Sequence, residues 1–89
     1  MPGAATRLYS PIYDRRQAGL PSRIQRRLER ALHEMGMNLE QFAHHRMKGS
    51  QYYRLRVGEY RVIYELDIPG NTVFLLTVGH RREIYRDSP

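Results

Sequence analysis

Two runs of alternating apolar and polar residues constrain the fold of this chain more than any other feature. The runs cover residues 52–57 and 60–66, and only a Gly-Glu pair separates them. Glycine at the first central position suits a two-residue type II′ turn, whose twist matches that of the flanking strands. The sequence therefore predicts a β-hairpin in which Arg56 lies directly opposite Arg61.

This register sorts the side chains of the hairpin onto two faces. Side chains alternate along a strand, so one face is apolar and the other carries Arg54, Arg56 and Arg61. Like charges directly opposite each other destabilise a sheet, so a bound polyanion is the candidate compensation. The alternative is an ordinary solvated face. The predicted pairs are Val57 with Tyr60, Arg56 with Arg61, Leu55 with Val62, Arg54 with Ile63 and Tyr53 with Tyr64.

The charge balance of the whole chain indicates an acidic partner. Fifteen basic residues against nine acidic ones give a net charge of +6, and all but Lys48 of the basic residues are arginine. Arginine holds phosphate with two parallel hydrogen bonds, so the composition favours nucleic acid. A GC-rich coding bias would also replace lysine with arginine. We attribute the missing lysines to bias and the net charge to binding.

Composition also excludes several classes of protein. The chain has no cysteine, so neither a disulfide framework nor thiolate chemistry is available. No apolar run resembles a signal peptide or reaches the length of a membrane span, so we expect a cytoplasmic protein with no membrane contact. The adjacent His44 and His45 point in different directions on any regular element, so we expect no metal site.

Helix signals fill the first half of the chain. Ser10 and Pro11 form a helix start, and a short helix is expected to end at Gly19. A second helix begins at residue 22, has apolar residues at helical spacing and is expected to end at Gly36. Its polar face is basic. The arginines of that face are Arg23, Arg26, Arg27 and Arg30.

The remaining elements complete an α+β fold. Residues 7–9 form a short first strand, residues 37–49 a loop with one helical turn, and residues 72–78 a central strand that Gly79 ends. The order β-α-α-β-β-β predicts a small twisted, mainly antiparallel sheet with the N-terminal helical hairpin packed on one face. We expect one domain over residues 1–89, with residues 1–5 disordered.

Three segments together resemble a known family. They are Lys48-Gly49-Ser50, YRLRVGEYRVIYE at 53–65 and VGHRREIYR at 78–86. These motifs resemble the RelE branch of the RelE/ParE toxin superfamily, and the resemblance extends over most of the chain. It implies the toxin of a type II toxin–antitoxin pair, whose protein partner is a cognate antitoxin.

The resemblance also implies an activity. Such toxins enter the ribosomal A site and cleave mRNA without a metal or other cofactor. The ribose 2′-OH attacks the adjacent phosphate, leaving a 2′,3′-cyclic phosphate and a 5′-OH. Two alternatives stay open: a ParE-like inhibitor of DNA gyrase, and a catalytically silent nucleic-acid-binding module.

The family pattern carries over residue by residue. It implies Arg54, Arg56, Arg61, Arg81 and Tyr85 as the catalytic positions. We assign Arg61 as the main transition-state cation, Arg81 as stabiliser of the leaving group and Tyr85 as orienter of the nucleophile. Our candidate substrate contacts are Lys48, Tyr52, His80 and Arg82.

One departure from the family pattern affects the chemistry. Active relatives often carry lysine at the positions of Arg54 and Arg56. Arginine does not lose its proton in proteins, so these two residues stabilise charge but do not act as a general base. Tyr85 or His80 is then expected to take or orient the 2′-proton.

Overall fold

The computed structural model describes residues 3–84. Its elements form a β-α-α-β-β-β-β order, which adds one short strand to the expected series. The elements are β1 (Thr6–Tyr9), α1 (Pro11–Ala18), α2 (Ser22–Met37), β2 (His45–Arg46), β3 (Tyr53–Val57), β4 (Tyr60–Asp67) and β5 (Thr72–His80).

The strands form one mixed sheet in the order β1-β5-β4-β3-β2. The first strand runs parallel to β5, and the other neighbours are antiparallel. Apolar residues of α2 and of the sheet share one core, so the helices cover a single face. The α+β fold predicted from the sequence is confirmed.

The β3–β4 hairpin has the predicted register throughout, including Arg56 opposite Arg61. Gly58 has a φ of 59°, and Asn71 is the one non-glycine residue with positive φ in the described chain. A positive φ at the first central residue alone agrees with a type II′ turn. The face toward the helices buries Leu55 and Val62, as the alternation predicted.

The helix starts predicted from the sequence are confirmed. Ser10 caps α1, where its hydroxyl accepts a hydrogen bond from the backbone N–H of Tyr13 at 3.0 Å. The apolar stripe of α2 lies against the sheet. Its buried side chains are Ile24, Leu28, Leu32 and Met35.

Two element boundaries differ from those predicted, and one strand was not predicted. Helix α2 continues through the buried Gly36 to Met37, and the Gly36 carbonyl accepts a hydrogen bond from Ala5 at 2.9 Å. Gly79 does not end β5, because it pairs with Arg61 in the ladder and the strand continues to residue 80. The predicted loop also contains β2, which is too short to show an alternating pattern.

The N-terminal residues that the structure describes contact the rest of the fold. Besides the Ala5 hydrogen bond, the carbonyl of Gly3 accepts one from the Asn71 side chain at 3.2 Å. Met1 and Pro2 lie outside the described residues. No helix within residues 3–84 is both long enough and apolar enough to cross a membrane.

A partly buried polar bridge connects the segment before β2 to the centre of the sheet. The Nε2 of His44 lies 2.7 Å from the carbonyl of Leu39, and its Nδ1 lies 2.6 Å from the hydroxyl of Tyr64. A carbonyl only accepts, so Nε2 donates to Leu39 and Nδ1 shares a hydrogen bond with the Tyr64 hydroxyl. Burial raises the pKa of Tyr64, which keeps that hydroxyl protonated.

Removing this hydroxyl is expected to weaken the fold. Tyr64→Phe leaves the Nδ1 of His44 without its hydrogen-bond partner, so we expect a loss of about 1–3 kcal/mol in the free energy of unfolding. Urea denaturation followed by circular dichroism measures it. Tyr9→Phe, at an exposed tyrosine of β1, is the control with little expected change. Equal stability of the two variants would show that the bridge adds nothing.

Candidate nucleic-acid interface

The hairpin arginines line a depression on the sheet face opposite the helices. Arg54 and Arg56 extend from β3, Arg61 extends from β4, and His45 extends from β2. The depression has a volume of about 320 Å³. No carboxylate is among the described residues that line it.

Arg61 is the most firmly held of these arginines. Its side chain is buried, with 9% exposed, and its Nη1 donates to the carbonyls of Gly58 at 2.9 Å and Tyr60 at 2.8 Å. A guanidinium has five N–H groups, and these bonds use only the two on Nη1. The turn therefore fixes the position of the cation in advance of any ligand.

Arg54 and Arg56 form the exposed side of the depression. Arg56 is opposite Arg61 in the β3–β4 ladder, and Arg54 is opposite His45 in the β2–β3 ladder. Directly paired residues lie on the same face of a sheet, so the ladders bring all four side chains to one side. The predicted gathering of Arg54, Arg56 and Arg61 is present in the structure.

Arg81 does not line this depression, because it pairs with the hairpin turn. Its Nε donates to the carboxylate of Glu59, and its backbone N–H donates to the Glu59 carbonyl at 2.7 Å. The bond from Arg81 lowers the pKa of Glu59, so the carboxylate stays charged well into the acid range. The pair is present above that lowered pKa and is lost as the pH falls through it.

His80 lies on the other side of the sheet. It pairs with Tyr60 in the ladder, and the two rings meet edge to face with centroids 5.6 Å apart. Tyr60 packs against the helical core, so His80 shares that face and lines a separate depression of about 630 Å³ with Arg15 and Arg16 of α1. Its Nδ1 accepts the backbone N–H of Arg82 at 3.1 Å.

The other predicted contacts are dispersed. Lys48 is exposed in the turn before β3, and Tyr52 is half-buried where its carbonyl accepts from the N–H of Met47 at 2.8 Å. Arg82 is exposed after β5. Tyr85 lies outside the described residues, so its predicted role stays a prediction.

The sequence interpretation missed His45. Its neighbour His44 is turned inward to Tyr64, whereas His45 is exposed beside the arginines, so the two rings diverge as expected for adjacent residues. Only the two-residue strand β2 aligns His45 with Arg54. A strand of two residues is too short to show a periodic pattern in the sequence.

The basic face of α2 adjoins the same edge of the hairpin. Arg27 and Arg30 line a depression of about 230 Å³ together with Arg56 and Gly58. A Cβ on Gly58 would lie 2.9 Å from Nη1 of Arg27, so glycine leaves room there for the guanidinium. Arg56 therefore borders two depressions, of which the second also includes the carboxylate of Glu34.

Comparison with known families gives one match over nearly the whole chain. A family model described as the ParE toxin of the type II toxin–antitoxin system, parDE, matches residues 5–85. Comparison with curated protein sequences gives no match.

Solved structures with a similar fold include RelE toxins. The RelB–RelE complex of Methanococcus jannaschii matches at 29% identity and a TM-score of 0.71, covering 92% of this chain and 99% of that chain. The RelBE2 complex of Mycobacterium tuberculosis matches at 23% identity and 0.74, covering 91% and 95%. The isolated E. coli RelE toxin matches at 20% identity and 0.74, covering 94% of each chain.

The Glu59 pairing makes a prediction about anion binding. Glu59→Gln removes the charge that holds Arg81, so we expect tighter binding of single-stranded RNA and a steeper salt dependence. One additional phosphate contact increases the slope of log K against log salt by about 0.7. Titration by fluorescence anisotropy at several salt concentrations measures this slope.

Glu40→Gln is the matched control, because it removes an equal charge at an exposed residue in the turn after α2. Equal slopes for the two variants would show that Arg81 gains no phosphate contact when Glu59 is neutralised.

Proposed function

We propose that this chain, which belongs to the ParE toxin family of type II toxin–antitoxin systems and with it to the RelE/ParE superfamily, cleaves mRNA in the ribosomal A site. Its likeness in fold to RelE toxins supports this proposal. The single observation that carries this proposal is the cationic depression formed by Arg54, Arg56 and Arg61. Three guanidinium groups on one concave surface suit a phosphodiester whose negative charge increases during the reaction.

The proposed reaction is metal-independent transesterification. The 2′-oxygen of a ribose bonds to the adjacent phosphorus, the bond from phosphorus to the 5′-oxygen breaks, and a cyclic phosphate and a 5′-OH result. The chemistry needs an acceptor for the 2′-proton, cations for the pentacoordinate phosphate and a proton for the leaving oxygen.

We assign the cationic role first to Arg61. Its bonds to the Gly58 and Tyr60 carbonyls pre-orient the guanidinium, which reduces reorganisation during the reaction. Arg54 and Arg56 hold the non-bridging oxygens from the exposed side. Arg81 takes part as the stabiliser of the leaving group only when the phosphate competes with the Glu59 carboxylate.

The proposed partners are the ribosome, mRNA and a cognate antitoxin, all in the cytoplasm. The M. jannaschii and M. tuberculosis neighbours are toxins in complex with antitoxins, which supports the antitoxin partner. We propose that carboxylates of the antitoxin cover the arginine depression, because three guanidinium groups line that surface. The whole chain, residues 1–89, acts as one toxin domain.

A second candidate function is inhibition of DNA gyrase. The name of the matching family model favours it, and the pairing of Arg81 with Glu59 reduces the number of cations available for catalysis. The arginine depression would then contact an acidic surface of the target or DNA and would need no proton acceptor.

Arg56→Gln tests the nuclease directly. Primer extension on mRNA bound to programmed ribosomes should show cuts within translated codons for the wild type. The variant should cut about 100-fold more slowly, because it lacks one cation facing the phosphate. Arg61→Ala is a poorer test, since Arg61 also satisfies two carbonyls of the turn and its loss perturbs the hairpin.

Arg26→Gln is the matched control, with the same loss of charge at an exposed position of α2 and little change expected in the cutting rate. Equal slowing of both variants would mean that overall charge, rather than the depression, determines activity. Absence of cuts by the wild type together with inhibited DNA supercoiling would establish the gyrase alternative instead.

A further inference from the structure

The proposed reaction needs a proton acceptor that the arginines do not supply. Arg54, Arg56 and Arg61 remain protonated in proteins. The sequence predicted Tyr85 or His80 for this role. Tyr85 lies outside the described residues, and the structure places His80 beside Tyr60 on the helical face of the sheet. The described part of the arginine depression contains one other ionisable side chain, the imidazole of His45.

Backbone pairing positions His45, and its side chain is exposed. Strand β2 pairs with β3 so that His45 is directly opposite Arg54, which places the imidazole on the arginine face. The neighbouring His44 is hydrogen-bonded to Leu39 and Tyr64 in the interior, and this bridge fastens the chain one residue before the imidazole. The site therefore combines a fixed cation, Arg61, with an accessible base on an adjacent strand.

We propose that His45 is the general base of this site, an inference that rests on the nuclease function proposed above. A ring nitrogen of the neutral imidazole takes the proton of the 2′-OH as the 2′-oxygen bonds to phosphorus. The bond to the 5′-oxygen breaks, and that oxygen takes a proton from water. The imidazolium then returns its proton to solvent, so the cycle consumes no co-reactant.

Residue chemistry separates this role from simple charge stabilisation. Histidine is the side chain whose protonation changes most readily near neutral pH, and general-base catalysis contributes about 100-fold or more to a rate. The charged groups that line the described part of this depression with His45 are Arg54 and Arg56 of β3 and Arg61 of β4. Arginine does not lose its proton in proteins, so a pH-dependent step that is lost when His45 is replaced is assigned to the imidazole.

The experiment is single-turnover cleavage of mRNA on programmed ribosomes across the neutral pH range. His45→Gln and His45→Arg should each lose about 100-fold or more in rate and lose the acid limb of the wild-type profile. His45→Ala should regain part of its rate when imidazole is added. His33→Gln, at an exposed histidine of α2, is the matched control and should keep the wild-type profile.

The outcomes distinguish this inference from the proposed function. If the wild type cleaves and His45→Gln keeps its rate, the base assignment is wrong and the nuclease function stands. If His45→Arg keeps the rate while His45→Gln loses it, the residue acts by charge and the assignment is again wrong. If the wild type does not cleave ribosome-bound mRNA, both proposals are wrong. Thermal melting of each variant shows that it is folded.

Discussion

The register of the β3–β4 hairpin is the constraint on which the rest of the site depends. A two-residue turn with positive φ at Gly58 leaves one pairing for the strands, and that pairing puts Arg56 opposite Arg61. Carbonyls at the same turn accept hydrogen bonds from Arg61, so the geometry of the turn also determines where this cation lies. A slip of one residue would exchange the two faces, burying the arginines and exposing Leu55 and Val62.

The two faces of the sheet divide structural and functional roles. One face packs against α2 and contributes Leu55, Val62 and Tyr64 to the core. The other concentrates positive charge, which works against stability unless an anion binds. Arg81 does not line the arginine depression, and its guanidinium pairs with Glu59 at the turn. We therefore propose a site of three arginines and one base, His45, with Arg81 paired to Glu59 at the neighbouring turn.

Local sequence signals predicted most of the fold, and tertiary pairing determined what they missed. The Ser10 cap, the α2 stripe and the hairpin register depend on residues close in sequence, so patterns reveal them. By contrast, His45 reaches the site through a strand of two residues. The position of His80 follows from its pairing with Tyr60. The C-terminal sequence motif alone does not indicate that pairing.

The pair of Arg56 and Arg61 is unfavourable for the fold, and we propose that an anionic ligand compensates for it. The most direct measurement is the free energy of unfolding of Arg56→Thr at low salt, compared with its affinity for single-stranded RNA. We expect a more stable protein, by roughly 0.2–1 kcal/mol, because a like-charge pair is removed, together with weaker RNA binding. A less stable protein with unchanged RNA affinity would contradict it, since Arg56 would then serve the fold rather than a ligand.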